Sequence, residues 1–546
     1  MDHDIRVEFL EFIAKSKAPG CNGLSEDCHY IPRKALDDYW SKDMVTSVIS
    51  KAGPRVPDGF VARDYRTILS ILVYINKLNH ISEFVRRQLD DSNLPFHSPE
   101  WPYEINDPRN KFNDTIQQFY DNQWSFCPLD LSRDSVIHKR VLHPRHILPF
   151  AEKRRAKSTF SGNSMGYEVV VDNVYQAAEE VKGPEIFALK VFNSDQKQAF
   201  EDETNALAAL AKVPSDHMVR YYGSFIQGDT YNILLEYADG GTLSDFLKET
   251  APPVRQEDIA SCWESIFGLV SALEKVHNIS NRNANWSLKG LHADIRPDNI
   301  LWFKKNDVSK DPCFKIADFG LRNVQPAPPR NIKGSNTTYT KIGTASTNIY
   351  TPPEAAGDWR EQLGHSHQSG PNCGDRRLSP TNDQRNIGYD IWSLGCLFLE
   401  CLTWLESGYQ EVERFRQSRR DELTKKAIKY DDRWPAFHDG AKLLPTVEGI
   451  FDNLRSQLEG REKGDGDKLT QKILDMLRNE VLVPQDNGRF RAKDMLKVFR
   501  SEDTETDGYA MAQNDWGLDV KTGPEWKKEE RMRWGYSVRT ASLRGY

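Results

Sequence analysis

Asp294, Asn299 and Asp318 offer two carboxylates and one amide at spacings that suit phosphoryl chemistry. The first two sit in the run His-Ala-Asp-Ile-Arg-Pro-Asp-Asn at residues 292–299, and Asp318 opens an Asp-Phe-Gly 24 positions after Asp294. Phosphoryl transfer needs a carboxylate at the attacking hydroxyl, an amide on the metal, and a second carboxylate bridging metal to phosphates. An Asp followed five residues later by Asn is common by chance; followed at this distance by Asp-Phe-Gly it is rare. Such groups act only when held in fixed geometry, so the elements that hold them should be legible nearby.

Short stretches rich in β-formers come first, at residues 167–172, 186–192, 221–225 and 231–237. Longer helical patterns follow at 262–276, 391–405 and 469–477. Lys190 closes the run Ile-Phe-Ala-Leu-Lys, 13 residues before Glu203. Glu201 is the competing carboxylate in that stretch, but Phe200 three residues before and Leu207 four after favour Glu203. Residues 233–241 read Ile-Leu-Leu-Glu-Tyr-Ala-Asp-Gly-Gly, which locally is a buried strand ending in a turn. Residues 162–169, Gly-Asn-Ser-Met-Gly-Tyr-Glu-Val, form a polar turn before a strand.

In this order the runs resemble the eukaryotic protein kinase family across residues 147–500. The resemblance implies an α+β, two-lobed fold: a small β-rich lobe at about 147–237 and a larger helical lobe at about 239–500. An all-α domain at 1–145 precedes it and a polar tail at 501–546 follows. It implies transfer of the ATP γ-phosphoryl group to Ser/Thr hydroxyls of protein substrates, with Mg²⁺. The expected catalytic residues are Asp294, Arg296, Lys190 and Thr347, with Asn299 and Asp318 on the metal. Gly162, Ser164, Gly166 and Val169 would meet the nucleotide from the glycine-rich turn, and Ala188 and Lys190 from the next strand. Glu203 would pair with Lys190; Leu235, Glu236 and Ala238 would form the hinge, and Leu301 would complete the pocket.

Several positions depart from the family pattern. Ser164 takes the place of its second glycine, and Gly166 falls one residue early for the third. Ala293 stands where most members have Arg, which removes the guanidinium on which phosphorylated loops dock. Loop phosphorylation is therefore not expected to be the main switch. Arg296 replaces the usual Lys and keeps the charge in a larger planar group, so slower chemistry is expected. Pro297 fits Ser/Thr-directed members, Glu354 should pair with Arg489, and Asp390 should support the backbone of the 292–299 loop. The departures leave an alternative, a pseudokinase scaffold that binds nucleotide weakly or not at all and acts through protein–protein contacts. A small-molecule kinase of related fold usually lacks the Asp-Phe-Gly, the Pro-Pro-Glu at 352–354 and the helix at 390–395. The layout of helical extension and polar inserts is also similar to kinase-like proteins of filamentous fungi.

A chain of 546 residues exceeds one ordinary core. Hydrophobic residues at 38% with 28% charged exclude wholesale disorder. A net charge of −7 argues against nucleic-acid or membrane partners, and the basic cluster at 138–157 reads as a solvated linker face. The most apolar helical run, 391–405, is interrupted by Glu400, and the N-terminus lacks a signal-peptide pattern. The expected location is cytoplasmic, with the nucleus as the second option. Eight cysteines without a C-x-x-C pair read as buried, reduced thiols. In the first 145 residues, Ile68, Leu72, Ile75, Leu78, Ile81 and Val85 form a helical stripe, with helices also expected near residues 5–13 and 111–122. This domain shows no chemistry, and it either docks partners or braces its neighbour. Residues 321–346 read as a flexible loop and 355–386 as a polar surface insert; His365, His367 and Cys373 lack a second ligand pair.

Overall fold

Apolar residues at helical spacing dominate the N-terminal quarter, and in the computed structural model they close a core of their own. The structure describes residues 3–24, 27–52, 58–98, 111–131, 137–156, 164–171, 185–213, 215–281, 286–304, 312–319, 325–326, 349–353, 382–426, 436–461, 464–484 and 488–500. Helices α1 (His3–Ser16), α2 (Arg33–Tyr39), α3 (Lys42–Ala52), α4 (Asp58–Asp64), α5 (Arg66–Tyr74), α6 (Ile81–Arg86) and α7 (Lys111–Asn122) surround Phe9, Trp40, Leu72, Phe84 and Phe119. Two buried polar links pin this core: Trp40 Nε1 donates to Ser70 Oγ at 2.8 Å, and Gln123 bonds both backbone groups of Phe96.

The apolar stripe of residues 68–85 is not one helix. Asn76 takes a left-handed backbone (φ 59°) between α5 and α6. Asn enters that region more readily than most residues, because its short side chain can bond locally. The chain therefore folds back there, and both halves of the stripe still bury Ile68, Leu72, Leu78 and Ile81 in one core.

A hairpin of β1 (Ala18–Cys21) and β2 (Asp27–Tyr30) joins this unit to a larger sheet. Cys21 and Leu148 exchange backbone hydrogen bonds at 3.1 and 2.7 Å. The basic stretch expected as a linker face is instead two strands, β3 (Ile137–Leu142) and β4 (Phe150–Arg155). With β5 (Met165–Val171), β6 (Glu185–Phe192), β7 (Tyr221–Gln227) and β8 (Thr230–Glu236) they form a six-stranded sheet, ordered β3-β7-β8-β6-β5-β4. Among the described residues of this sheet, only the β3–β7 pairing is parallel.

The period of two in β6 decides which side chains face the lobe interface. Phe187, Leu189 and Val191 join a cluster with Leu129 and Phe150, whereas Ala188 and Phe192 join the large core that continues into the helical lobe. Lys190 shares the second face. Helix α8 (Lys197–Leu210) buries Phe200, Glu203, Leu207 and Leu210, a three- and four-residue stripe with the carboxylate inside it.

Past β8, strand β9 (Gly241–Thr242) leads into α9 (Leu243–Glu249), capped by a reciprocal Thr242–Asp245 box. Helix α10 (Gln256–His277) and the helices Asn382–Ser407, Tyr409–Lys425, Pro445–Glu459 and Asp465–Met476 build the larger lobe around Trp263, Phe267, Trp392, Phe398 and Trp404. Each such fully buried side chain contributes about 1.5–3 kcal/mol or more. Strands β10 (Ile279–Asn281), β11 (Trp286–Lys289), β12 (Ile300–Phe303) and β13 (Cys313–Ile316) flank the 292–299 loop.

No helix among the described residues is long and apolar enough to cross a membrane. Among the described cysteines, Cys262, Cys396 and Cys401 are buried, while Cys21, Cys28, Cys127 and Cys313 are half-buried; all are reduced thiols. Of the expected loop at 321–346, Gln325–Pro326 is described, as a short strand on β11. The expected insert at 355–386 lies outside the described residues up to 381, and the helix Asn382–Ser407 starts within its last part. The tail at 501–546 is also outside them.

Candidate active site

Between the sheet and the helical lobe lies an open cleft. Its apolar lining includes Ala188, Leu235, Ala238, Leu301 and Ala317, and its polar end holds Lys190, Glu203, Asn299 and Asp318. Burial alone would depress the Lys190 ammonium, but the carboxylates of Asp318 and Glu203 outweigh it and hold it well above its ordinary range. Lys190 Nζ lies 2.9 and 2.8 Å from the two Glu203 oxygens and 2.5 Å from Asp318 Oδ1. Burial pushes the Glu203 carboxyl up; Lys190 opposes this and Asp318 adds to it. One ammonium thus serves two carboxylates, and a buried charge left without its partner costs about 3–5 kcal/mol.

The 292–299 loop is held from below by one carboxylate. Buried Asp390 accepts from His292 N and Ala293 N, both at 2.8 Å, and lies 2.9 Å from His277 Nε2. This is the support expected of Asp390. His292 Nε2 lies 2.9 Å from the carbonyl oxygen of Ala317, and its ring meets Phe319 edge-on at 5.2 Å. Asp318 is thereby tied to the loop through its neighbours on both sides. Ala293 and Asp318 both adopt left-handed backbone, φ 63° and 62°, which costs a non-glycine residue about 1–2 kcal/mol. The bonds from Ala293 N to Asp390 and from Lys190 to Asp318 hold these conformations in place.

Asn299 Nδ2 donates to the Asp294 backbone oxygen at 2.8 Å and to its Oδ2 at 2.9 Å, so the amide orients the carboxylate. Arg296 is looser: Nε lies 3.8 Å from Asp294 Oδ2 and Nη1 3.9 Å from Asp298. The Glu236 side chain turns to Lys315, with Nζ to oxygen distances of 2.7 and 2.9 Å.

The fold brings most of the expected residues to this cleft, but not all. Val169 is a correction. Cross-strand pairing sets Gly166 opposite Lys190, Glu168 opposite Ala188 and Val169 opposite Phe187. Val169 therefore faces away from the cleft, fully buried with Phe150 and Phe187. The physical reason is register: Gly166 arrives one residue early, and a one-residue slip turns every side chain to the other face. Glu168 occupies the cleft face instead and accepts from Tyr237 Oη at 3.1 Å. Ser164 precedes β5, and Gly166, opposite Lys190, shares the cleft face with Glu168, while Gly162, Thr347 and Glu354 lie outside the described residues. Arg489, expected to meet Glu354, donates to the carbonyls of Gly388 and Val483 at 2.9 and 2.7 Å and lies over Trp392.

Sequence reasoning missed Ala156, Tyr237, Thr242, Asp298 and Ala317, which also line the cleft. The Thr242-to-Asp245 capping spacing was a usable signal for one of them. Nothing in the local sequence marks Ala156, which reaches the cleft by a backbone bond to Gly166 at 3.0 Å.

A buried Lys–Glu pair, the Asp318 carboxylate and the Asn299 amide thus line one cleft between a β-rich and a helical lobe. The chain belongs to the protein kinase family: the model for the protein kinase domain matches residues 171–497. It is similar to the serine/threonine-protein kinase dst2 of Dictyostelium discoideum, 27% identical over 39% of this chain and 15% of that protein. It is 32% identical to the serine/threonine-protein kinase ppk11 of Schizosaccharomyces pombe over 41% of this chain and 56% of that one. The mitogen-activated protein kinase kinase kinase ANP1 of Arabidopsis thaliana matches at 28% over 41% and 26%. The alignments span less than two thirds of each of these relatives.

Proposed function

We propose that the protein is a Ser/Thr protein kinase that uses Mg-ATP. The observation that carries this reading is the buried Lys190 ammonium clasped by Glu203 and Asp318, in a cleft that Asn299 also lines. An apolar slot with charge at one end suits a flat base joined to anionic phosphates. Asp318 and Asn299 carry the oxygen donors that a hard divalent cation takes. Bound Mg-ATP would supply the phosphoryl group and the cation that offsets its charge.

In this reading Lys190 holds the phosphates, and Glu203 keeps Lys190 from swinging into solvent. Asn299 fixes the Asp294 carboxylate, so that Asp294 can take the hydrogen bond of an incoming hydroxyl and orient it. Arg296 would contribute positive charge near the group in transit. Ser/Thr acceptors are favoured by Pro297 and by the names of the relatives. Residues 1–145 are proposed as a helical unit open to protein partners, and the compartment as cytoplasmic.

The test is transfer of radiolabelled phosphate from ATP to a generic basic protein. Asp294→Asn should lower it about 100-fold or more while nucleotide affinity, measured by calorimetry, stays within about two-fold. Equal transfer by both proteins would overturn the reading. A folded wild-type protein without transfer would leave the pseudokinase scaffold.

A further inference from the structure

We propose that Lys139 is a positioning residue for the Lys190–Glu203 pair, and that β3 is the brace that carries it. Glu201 and Asn205 stand one turn apart on α8, with Glu203 midway between them in sequence. At about 100° per residue, Glu203 lies on the opposite side of the helix from both. Lys190 grips that inner side through Glu203. Lys139 grips the outer side: its Nζ donates to the Glu201 carboxylate and, at 2.8 Å, to Asn205 Oδ1. An ammonium on each side resists rotation of α8, the movement that would take Glu203 away from Lys190.

The seat of β3 is built for this contact. Its pairing with β7 shifts register between Ile137 and Arg140, and inside the shift Lys139 adopts φ 51°. A bulge of this kind re-aims a side chain, and a left-handed Lys persists only where its surroundings enforce it. Lys139 N donates to the Oγ of fully buried Ser224 at 2.9 Å; Ser224 also bonds Tyr221 Oη at 2.7 Å, which lies 3.2 Å from His138 Nδ1. Gly223 lets the strand in: a Cβ there would fall 2.8 Å from the Ile137 carbonyl oxygen.

The rate part of this inference rests on the kinase reading; the brace itself does not. Full-length Lys139→Ala should speed hydrogen exchange of the amides in α8 while leaving those of α5 unchanged. It should also lower kcat about five-fold or more, the lower end of typical coupling between sites. Lys139→Arg, which keeps the charge, should restore both. A bulky residue at position 223, Gly223→Val, should act in the same direction as Lys139→Ala by displacing the strand. Unchanged α8 exchange in Lys139→Ala, or a loss that Lys139→Arg does not recover, overturns the proposal. If the wild-type protein transfers no phosphate, the functional reading fails, and α8 exchange alone decides the brace.

Discussion

Lys190 is the residue on which the electrostatics of the cleft turn. It is 2% exposed and faces two carboxylates, so its charge stabilises the site while its solvation is almost wholly lost. Lys190→Met should destabilise the protein by about 3 kcal/mol or more, because Glu203 and Asp318 then face each other without a cation. Adding Glu203→Gln should return part of that loss through a coupling of about 1–3 kcal/mol. Urea unfolding of the single and double variants measures it; strictly additive costs would argue against a shared ion pair. The family resemblance suggested the Lys–Glu partnership, and apolar Phe200 and Leu207 at helical steps picked Glu203 over Glu201. Val169 was misread because only strand pairing, invisible in one strand, tells which face a residue takes.

At the scale of elements, the helix Asn382–Ser407 organises the larger lobe from both ends. Near its start Asp390 holds the 292–299 loop, and further on Glu400 holds the end of the segment that leads on from Asp318. Tyr350 Oη donates to Glu400 at 3.0 Å, Ser393 Oγ donates to the Tyr350 carbonyl at 2.7 Å, and His438 Nε2 lies 2.8 Å from the Thr351 carbonyl oxygen. Arg416 and Arg419 close the network at 2.6 and 2.7 Å from Glu400, with the Arg419 guanidinium against Phe415 and Phe437. Burial would raise the Glu400 carboxyl, but the two guanidiniums outweigh it and bring it down to about 2. A carboxyl depressed on folding adds stability that is complete above its ordinary value of 4.5 and is lost as pH falls toward 2. That loss should be on the order of 3 kcal/mol from this group. Glu400→Gln should cost about 3–5 kcal/mol at neutral pH and flatten the stability profile below pH 4.5, read from melting temperatures across that range. A profile as steep as that of the wild type would locate the acid sensitivity elsewhere. Sequence showed Glu400 only as an interruption in an apolar run; its two guanidinium partners lie on another helix.

Across the whole molecule, the helical unit and the sheet meet at a small seam of Ala18, Tyr30, Trp124 and Ile147. Gly20 permits it, since a Cβ there would sit 2.6 Å from the Ile147 side chain. His146 lies beside the seam, 2% exposed, and burial, with Arg140 adding, lowers its ring to about 4 from an ordinary 6.5. The unfolded chain then takes a proton before the folded one, so this contribution is full above pH 6.5 and lost as pH falls through 4. The change should reach about 3 kcal/mol. His146→Gln should reduce the pH dependence of unfolding between 6.5 and 4, to which other histidines lowered by burial also contribute. An unchanged slope would mean that the ring is not the group charging on unfolding.

The order of elements and the 292–299 and 318–320 motifs are legible in local sequence, because apolar periodicity and motif spacing act over a few residues. Lys190, Glu203, Asp294, Asn299 and Asp318 were named through the resemblance of those runs to the protein kinase family. What only tertiary structure decided is register and partnership. The basic run 137–142 has no strand signature of its own and becomes β3 because β7 offers an edge that Gly223 leaves open. The stripe at 68–85 breaks at Asn76 because folding back buries both halves. Lys139 meets α8, and Glu400 its two guanidiniums, across 62 and 16–19 residues of chain respectively. Such contacts depend on where other elements come to rest in space, and no property of the residues alone specifies that.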